Sequence, residues 1–177
     1  MPAAQVAVAM VVLLAAVSDL RKRRIPNWVT LGGVACGVVL NAIFYPGLPG
    51  LAFALKGLCL AFGVYFVLYC LHAMGAGDVK LMAAVGSLTG WRAWLQIFVI
   101  TAIAGGILAL ILIIWRGRFQ KTAANIGSIL GEMGRGRAPY QKLEEVDVRN
   151  PRSMGLPHGA VIAAGTILFL AWARITG

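Results

Sequence analysis

Six apolar runs, most of them long enough to cross a bilayer, leave this chain little choice of fold. They fall at residues 3–17, 29–45, 51–71, 79–89, 93–115 and 156–173. A spanning helix needs about 20 residues, with a range of roughly 17–25. The second, third, fifth and sixth runs reach that length, the third interrupted only by Lys56, and the first reaches it when residues 2–20 are counted. The fourth does so only if Asp78 and residues up to about Leu95 are included, which brings Arg92 into the span. The expected fold is all-α: a polytopic membrane protein of six transmembrane helices, forming one domain over residues 1–177. Only 12% of residues are charged, against about 25% in soluble domains, and no stretch reads as a separate soluble unit.

The positions of the basic residues set the expected topology. Arg21, Lys22, Arg23 and Arg24 follow the first run, and Arg116, Arg118 and Lys121 follow the fifth. The connections at 46–50 and 90–94 hold one basic residue between them, Arg92. Basic residues concentrate on the cytoplasmic side, so both termini are expected outside. A merely re-entrant fourth run would put the basic loop outside, whereas two full crossings keep it inside. The net charge of +10 thus reads as membrane orientation, and no nucleic-acid partner is expected. Residues 116–155 form the one long polar segment, read as a cytoplasmic loop that is flexible near anionic lipid or docks substrate. The first run lacks a basic segment before it, so it is not a secretory signal peptide. Cys36, Cys59 and Cys70 show no paired spacing, so neither a disulfide framework nor a metal site is expected, and no cofactor.

Within this apolar chain the carboxylates stand out. There are six acidic residues. Glu132, Glu144, Glu145 and Asp147 lie in the polar loop, but Asp19 and Asp78 lie at the edges of apolar runs. An ionisable group there is expensive and points to function. Asp19 closes the first helix and Asp78 opens the fourth, so both are expected at the cytoplasmic face, where packing of those helices would make a dyad. Two adjacent carboxylates cannot both ionise easily and so share a proton. One activates water as a base while the other protonates or hydrogen-bonds a scissile carbonyl. That is aspartic peptidase chemistry. Gly75 and Gly77, flanking Asp78, would let the backbone bend and approach a substrate. The competing readings are a helix-breaking turn for the glycines and interfacial salt bridges to Arg21 or Lys80 for the two Asp residues.

The stretches Asp19-Leu20-Arg21-Lys22-Arg23-Arg24-Ile25-Pro26-Asn27 and Gly75-Ala76-Gly77-Asp78-Val79-Lys80 together resemble the prepilin peptidases, or type IV leader peptidases, which are membrane aspartic peptidases with a Gly-x-Gly-Asp motif. Leu156-Pro157-His158-Gly159-Ala160 is similar to the start of that family's last helix. The resemblance covers nearly the whole chain. It implies that Asp19 and Asp78 are the catalytic pair. It also implies that the substrate is a pilin-like precursor, cut on the cytoplasmic side of a prokaryotic inner membrane after a short basic leader ending in Gly. Longer family members carry an N-terminal portion with paired Cys-x-x-Cys motifs linked to methylation of the new N-terminus. The sequence given has none, so it resembles the short branch of tight-adherence (Flp-type) pilus systems, and methyl transfer is not expected. The preflagellin peptidases of archaea are similar.

Other residues carry weaker expectations. Pro26 fixes the approach to helix two and Asn27 would cap it. Lys80, two residues past Asp78 and on a different helix face, balances charge, contacts substrate or snorkels to the interface. His158 is expected at the depth of the dyad, and His72 carries less weight. A small proton-coupled transporter is an alternative class, but no internal repeat and no acid deep in a span supports it. A non-catalytic pilus-assembly protein would leave both carboxylates without a purpose. Which pilin is cut, and the oligomeric state, do not follow from the sequence.

Overall fold

In the computed structural model the described residues are 2–45, 48–115 and 158–176. The polar loop expected at 116–155, and the reading placed on it, lie outside them. The described chain forms five helices: α1 Pro2–Lys22, α2 Asn27–Phe44, α3 Leu48–Cys70, α4 Ala76–Trp115 and α5 His158–Thr176. There is no strand among the described residues. All five helices are long and apolar enough to cross a membrane. α1 runs past its apolar core to Lys22, so Asp19 lies in its last turns. α4 starts at Ala76, which places Asp78 in its first turn.

The fourth and fifth apolar runs are joined in one 40-residue element, α4. A straight helix of that length would measure about 60 Å, twice the roughly 30 Å hydrocarbon core. It is not straight. Gly90 has φ 75 and ψ 167, a conformation essentially restricted to glycine, and it separates arms at 76–89 and 91–115. A Cβ there would run into the Phe53 ring.

Side-chain contacts give the direction of each arm. Gly86 lies against Gly57 and Ala61, and Gly90 against Phe53, so the first arm runs antiparallel to α3. Beyond Gly90, Trp94 and Phe98 pack on Tyr65, back toward the C-terminal end of α3. Further on, Thr101 meets Gly165, and Gly105 faces Val161 near the start of α5. The chain therefore reverses at Gly90, and the second arm returns toward the end of the bundle where α4 began.

α4 contacts all four other helices, and residues 81–88 of its first arm are all buried. A helix surrounded on every side has no polar face, and close backbone approach favours small residues. Ala83, Ala84, Gly86 and Ser87 meet both conditions. At the crossing with α3, a Cβ on Gly57 would strike the Gly86 carbonyl, and the reverse holds for Gly86. The crossing with α2 is fastened by Asn41, whose Nδ2 donates to Gly37 O at 2.9 Å and Ser87 O at 3.0 Å. Val8, Val12 and Ala15 of α1, Leu81 and Val85 of α4, and Ile162 of α5 complete the core.

Candidate functional site

The turn between α1 and α2 is closed locally. Arg23, with φ 48, donates its N–H to Asp19 O at 2.8 Å, and Ser18 Oγ donates to Arg24 O at 2.8 Å. Pro26 is the N-cap of α2, with φ −66 and ψ 138. Asn27 is the first helical residue and makes no side-chain cap, contrary to the expectation that it caps α2. Its Oδ1 instead accepts from Lys80 Nζ at 2.9 Å. The Pro26-Asn27 segment and the Gly-x-Gly-Asp-x-Lys segment are thereby bonded to each other, and Lys80 is engaged by an amide.

The turn before α4 is built around Asp78. Its backbone N–H donates to Gly75 O at 3.1 Å, and its Oδ2 accepts from Gly75 N–H at 3.2 Å. The carboxylate reaching back to the N–H three residues earlier is one half of a capping box; Gly75 has no side chain to supply the other half, and its carbonyl accepts from Asp78 N–H instead. Neither Gly75 nor Gly77 has positive φ; among the described glycines only Gly90 does. Gly77 serves a different purpose. A Cβ there would lie 3.3 Å from Ile25 Cβ, so the absent side chain lets the α1–α2 turn pack against the start of α4.

Both carboxylates are thus carried to one end of the bundle. Asp19 is 9% exposed and Asp78 8%. Asp78 lies within electrostatic reach of Asp19 and of His158, the first residue of α5. Asp19 Oδ2 accepts from the backbone N–H of Gly159 at 2.8 Å, a contact the sequence did not reveal; only the stretch 156–160 marked the region. His72 lies in the α3–α4 turn, where its Nδ1 pairs with Cys70 O at 3.0 Å. A half-open cavity of about 230 Å³ lies at the opposite end of the bundle, lined in part by Gln5, Asn41, Phe53 and Thr89, and shares no residue with this cluster. Two nearly buried carboxylates from separate helices, in each other's field, can carry acid–base hydrolysis of an amide.

Comparison with known proteins supplies an independent line. The family described as "Type IV leader peptidase family" matches residues 6–110, a span that includes Asp19, Asn27, Gly75, Asp78 and Lys80 and ends before α5. The chain is similar to the prepilin leader peptidase/N-methyltransferase of Legionella pneumophila, 32% identical over 117 residues, or 63% of this chain and 41% of that protein. The protein of the same description from Xanthomonas campestris pv. campestris is 31% identical over 121 residues, 66% of this chain and 42% of the relative. That from Escherichia coli K12 is 34% identical over 101 residues, 53% and 44% respectively. The chain therefore spans about two fifths of the length of these curated relatives. No solved structure matches.

Proposed function

The chain belongs to the type IV leader peptidase family, and we propose on that premise that it is a membrane aspartic endopeptidase whose catalytic pair is Asp19 and Asp78. One observation carries the reading: two nearly buried carboxylates, from α1 and α4, converge at one end of the bundle. They do so inside the stretch matched by the family.

Water held between the carboxylates loses a proton to one of them as it attacks the scissile carbonyl, and the other donates a hydrogen bond or proton to the carbonyl oxygen. Collapse of the tetrahedral species returns a proton to the departing amine. The substrate is a pilin-like precursor. Its basic leader is held at the cytoplasmic face, and the cut follows a Gly whose backbone can leave the helix. The names of these relatives join two activities; the proposal concerns the peptidase.

The protein crosses the cytoplasmic membrane six times, with Gly90 at the outer turn and both termini outside. The reversal of α4 and the basic clusters at Arg21–Arg24 and beyond Trp115 support this arrangement.

The test is co-expression with a pilin-like precursor. Asp19→Asn and Asp78→Asn keep size and polarity but cannot exchange the proton. Each is expected to lower cleavage at least about 100-fold while the protein accumulates in the membrane at the wild-type level. Substantial processing by either variant refutes the assignment.

A further inference from the structure

The two carboxylates are held by different means. Asp78 is fixed within its own turn, by Gly75 three residues away. Asp19 is fixed from a distance, by an amide 140 positions along the chain. That amide belongs to Gly159, the second residue of α5. The first four N–H groups of a helix have no partner within it, and the helix N-terminus carries a partial positive charge. The Asp19 carboxylate satisfies one of these donors.

The contact depends on the missing side chain. A Cβ on residue 159 would stand 2.9 Å from Asp19 Oδ2, 3.0 Å from its Cβ and 3.2 Å from its Cγ. The whole carboxylate group, not a flexible tip alone, occupies the space. Gly159 is also buried, so the amide has little access to water as a substitute partner.

We propose that Gly159 is a positioning residue for the peptidase: its amide, presented by the N-terminus of α5, sets the orientation of the Asp19 carboxylate, so that docking of α5 completes the site. The inference rests on the assignment of Asp19 and Asp78 proposed above. It extends the site beyond residues 6–110, the part matched by the family, to a third helix. It also explains why α5 begins beside Asp19. A loosely docked α5 would leave Asp78 in place but release its partner.

Two measurements on the full chain in detergent micelles test it. The first needs no substrate: amide hydrogen exchange at Gly159, in the wild type, Asp19→Ala and Asp78→Ala. A hydrogen bond to a carboxyl oxygen protects an amide, so exchange should be at least about tenfold faster in Asp19→Ala and unchanged in Asp78→Ala. Equal exchange in all three proteins overturns the proposal. The second uses a synthetic peptide with a basic leader ending in Gly before an apolar helix. Gly159→Ala should lower kcat roughly 10- to 100-fold, as expected for a displaced catalytic group, with KM within about twofold of wild type. Unchanged kcat overturns the positioning role, and so does a loss that falls on KM alone. If the wild type cuts no such peptide, the functional reading fails while the exchange measurement still decides whether Gly159 holds Asp19.

Discussion

The crossing of α3 and α4 should tolerate no added methyl group, and a pair of glycine substitutions isolates that effect. Gly86→Ala would place its Cβ against the Gly57 carbonyl and 2.8 Å from Ala61 Cβ. Carbon atoms prefer roughly 3.5–4.0 Å, so the helices must part by about 1 Å or distort. Overpacking of this kind costs about 1–3 kcal/mol. Alanine also stabilises a helix relative to glycine, by about 0.5–1 kcal/mol, and that gain would blur a single measurement. Gly63→Ala removes the ambiguity. Gly63 is likewise inside a helix, α3, yet a Cβ there meets nothing within 4 Å. Both variants receive the same helical gain, so the difference between them reports crowding alone. Gly63→Ala should be more stable than wild type by about 0.5–1 kcal/mol, and Gly86→Ala less stable than Gly63→Ala by about 1–3 kcal/mol. Equilibrium unfolding in mixed micelles, with both variants at the same detergent composition, gives the numbers. Precursor cleavage should fall in Gly86→Ala too, because Asp78 lies on the same arm about 12 Å away along the axis. Equal stability of the two variants would refute the reading that backbone contact, rather than helix propensity, explains Gly86.

The remaining expectations follow from other contacts. The Lys80–Asn27 bond is exposed, so a double-mutant cycle with alanine at both positions should give a coupling of about 0.5–1.5 kcal/mol; zero coupling in unfolding measurements would show that the two motifs are not tied. Gly90→Ala should destabilise even after Phe53→Ala removes the clash, because φ 75 and ψ 167 leave a backbone penalty of about 1–3 kcal/mol for a residue with a Cβ. Comparing that double variant with Phe53→Ala alone by the same unfolding assay checks it. A reporter fused after Gly177 should read outside, and one inserted within residues 131–138 should read inside. An outside signal from the loop would mean that α4 does not cross twice.

The weakest apolar run shows best where sequence and structure part. Residues 79–89 are short for a span and reach that length only with Asp78 and Arg92 included, yet residues 81–88 are all buried. Length and charge in the sequence do not reveal this, and only the neighbours pressing on Gly86 and Ser87 show the run as a packing surface. Asn27 makes the same point on a smaller scale. Its position at a helix start suggested a cap, but the side chain is taken by Lys80 from another helix. The glycines of the Gly-x-Gly-Asp motif suggested backbone freedom; in Gly77 the structure shows room for Ile25 instead.

By itself the sequence determined the helical class, the apolar segments and the two acids that stand apart from the polar loop. These follow from length, polarity and charge, which are local properties of a chain in a bilayer. Tertiary structure decided that runs four and five meet at Gly90, where the chain reverses, that Lys80 bonds Asn27, and that Asp19 is held by Gly159. Each of those depends on which helices are neighbours, and a contact between residues far apart in sequence leaves no periodicity or spacing to read.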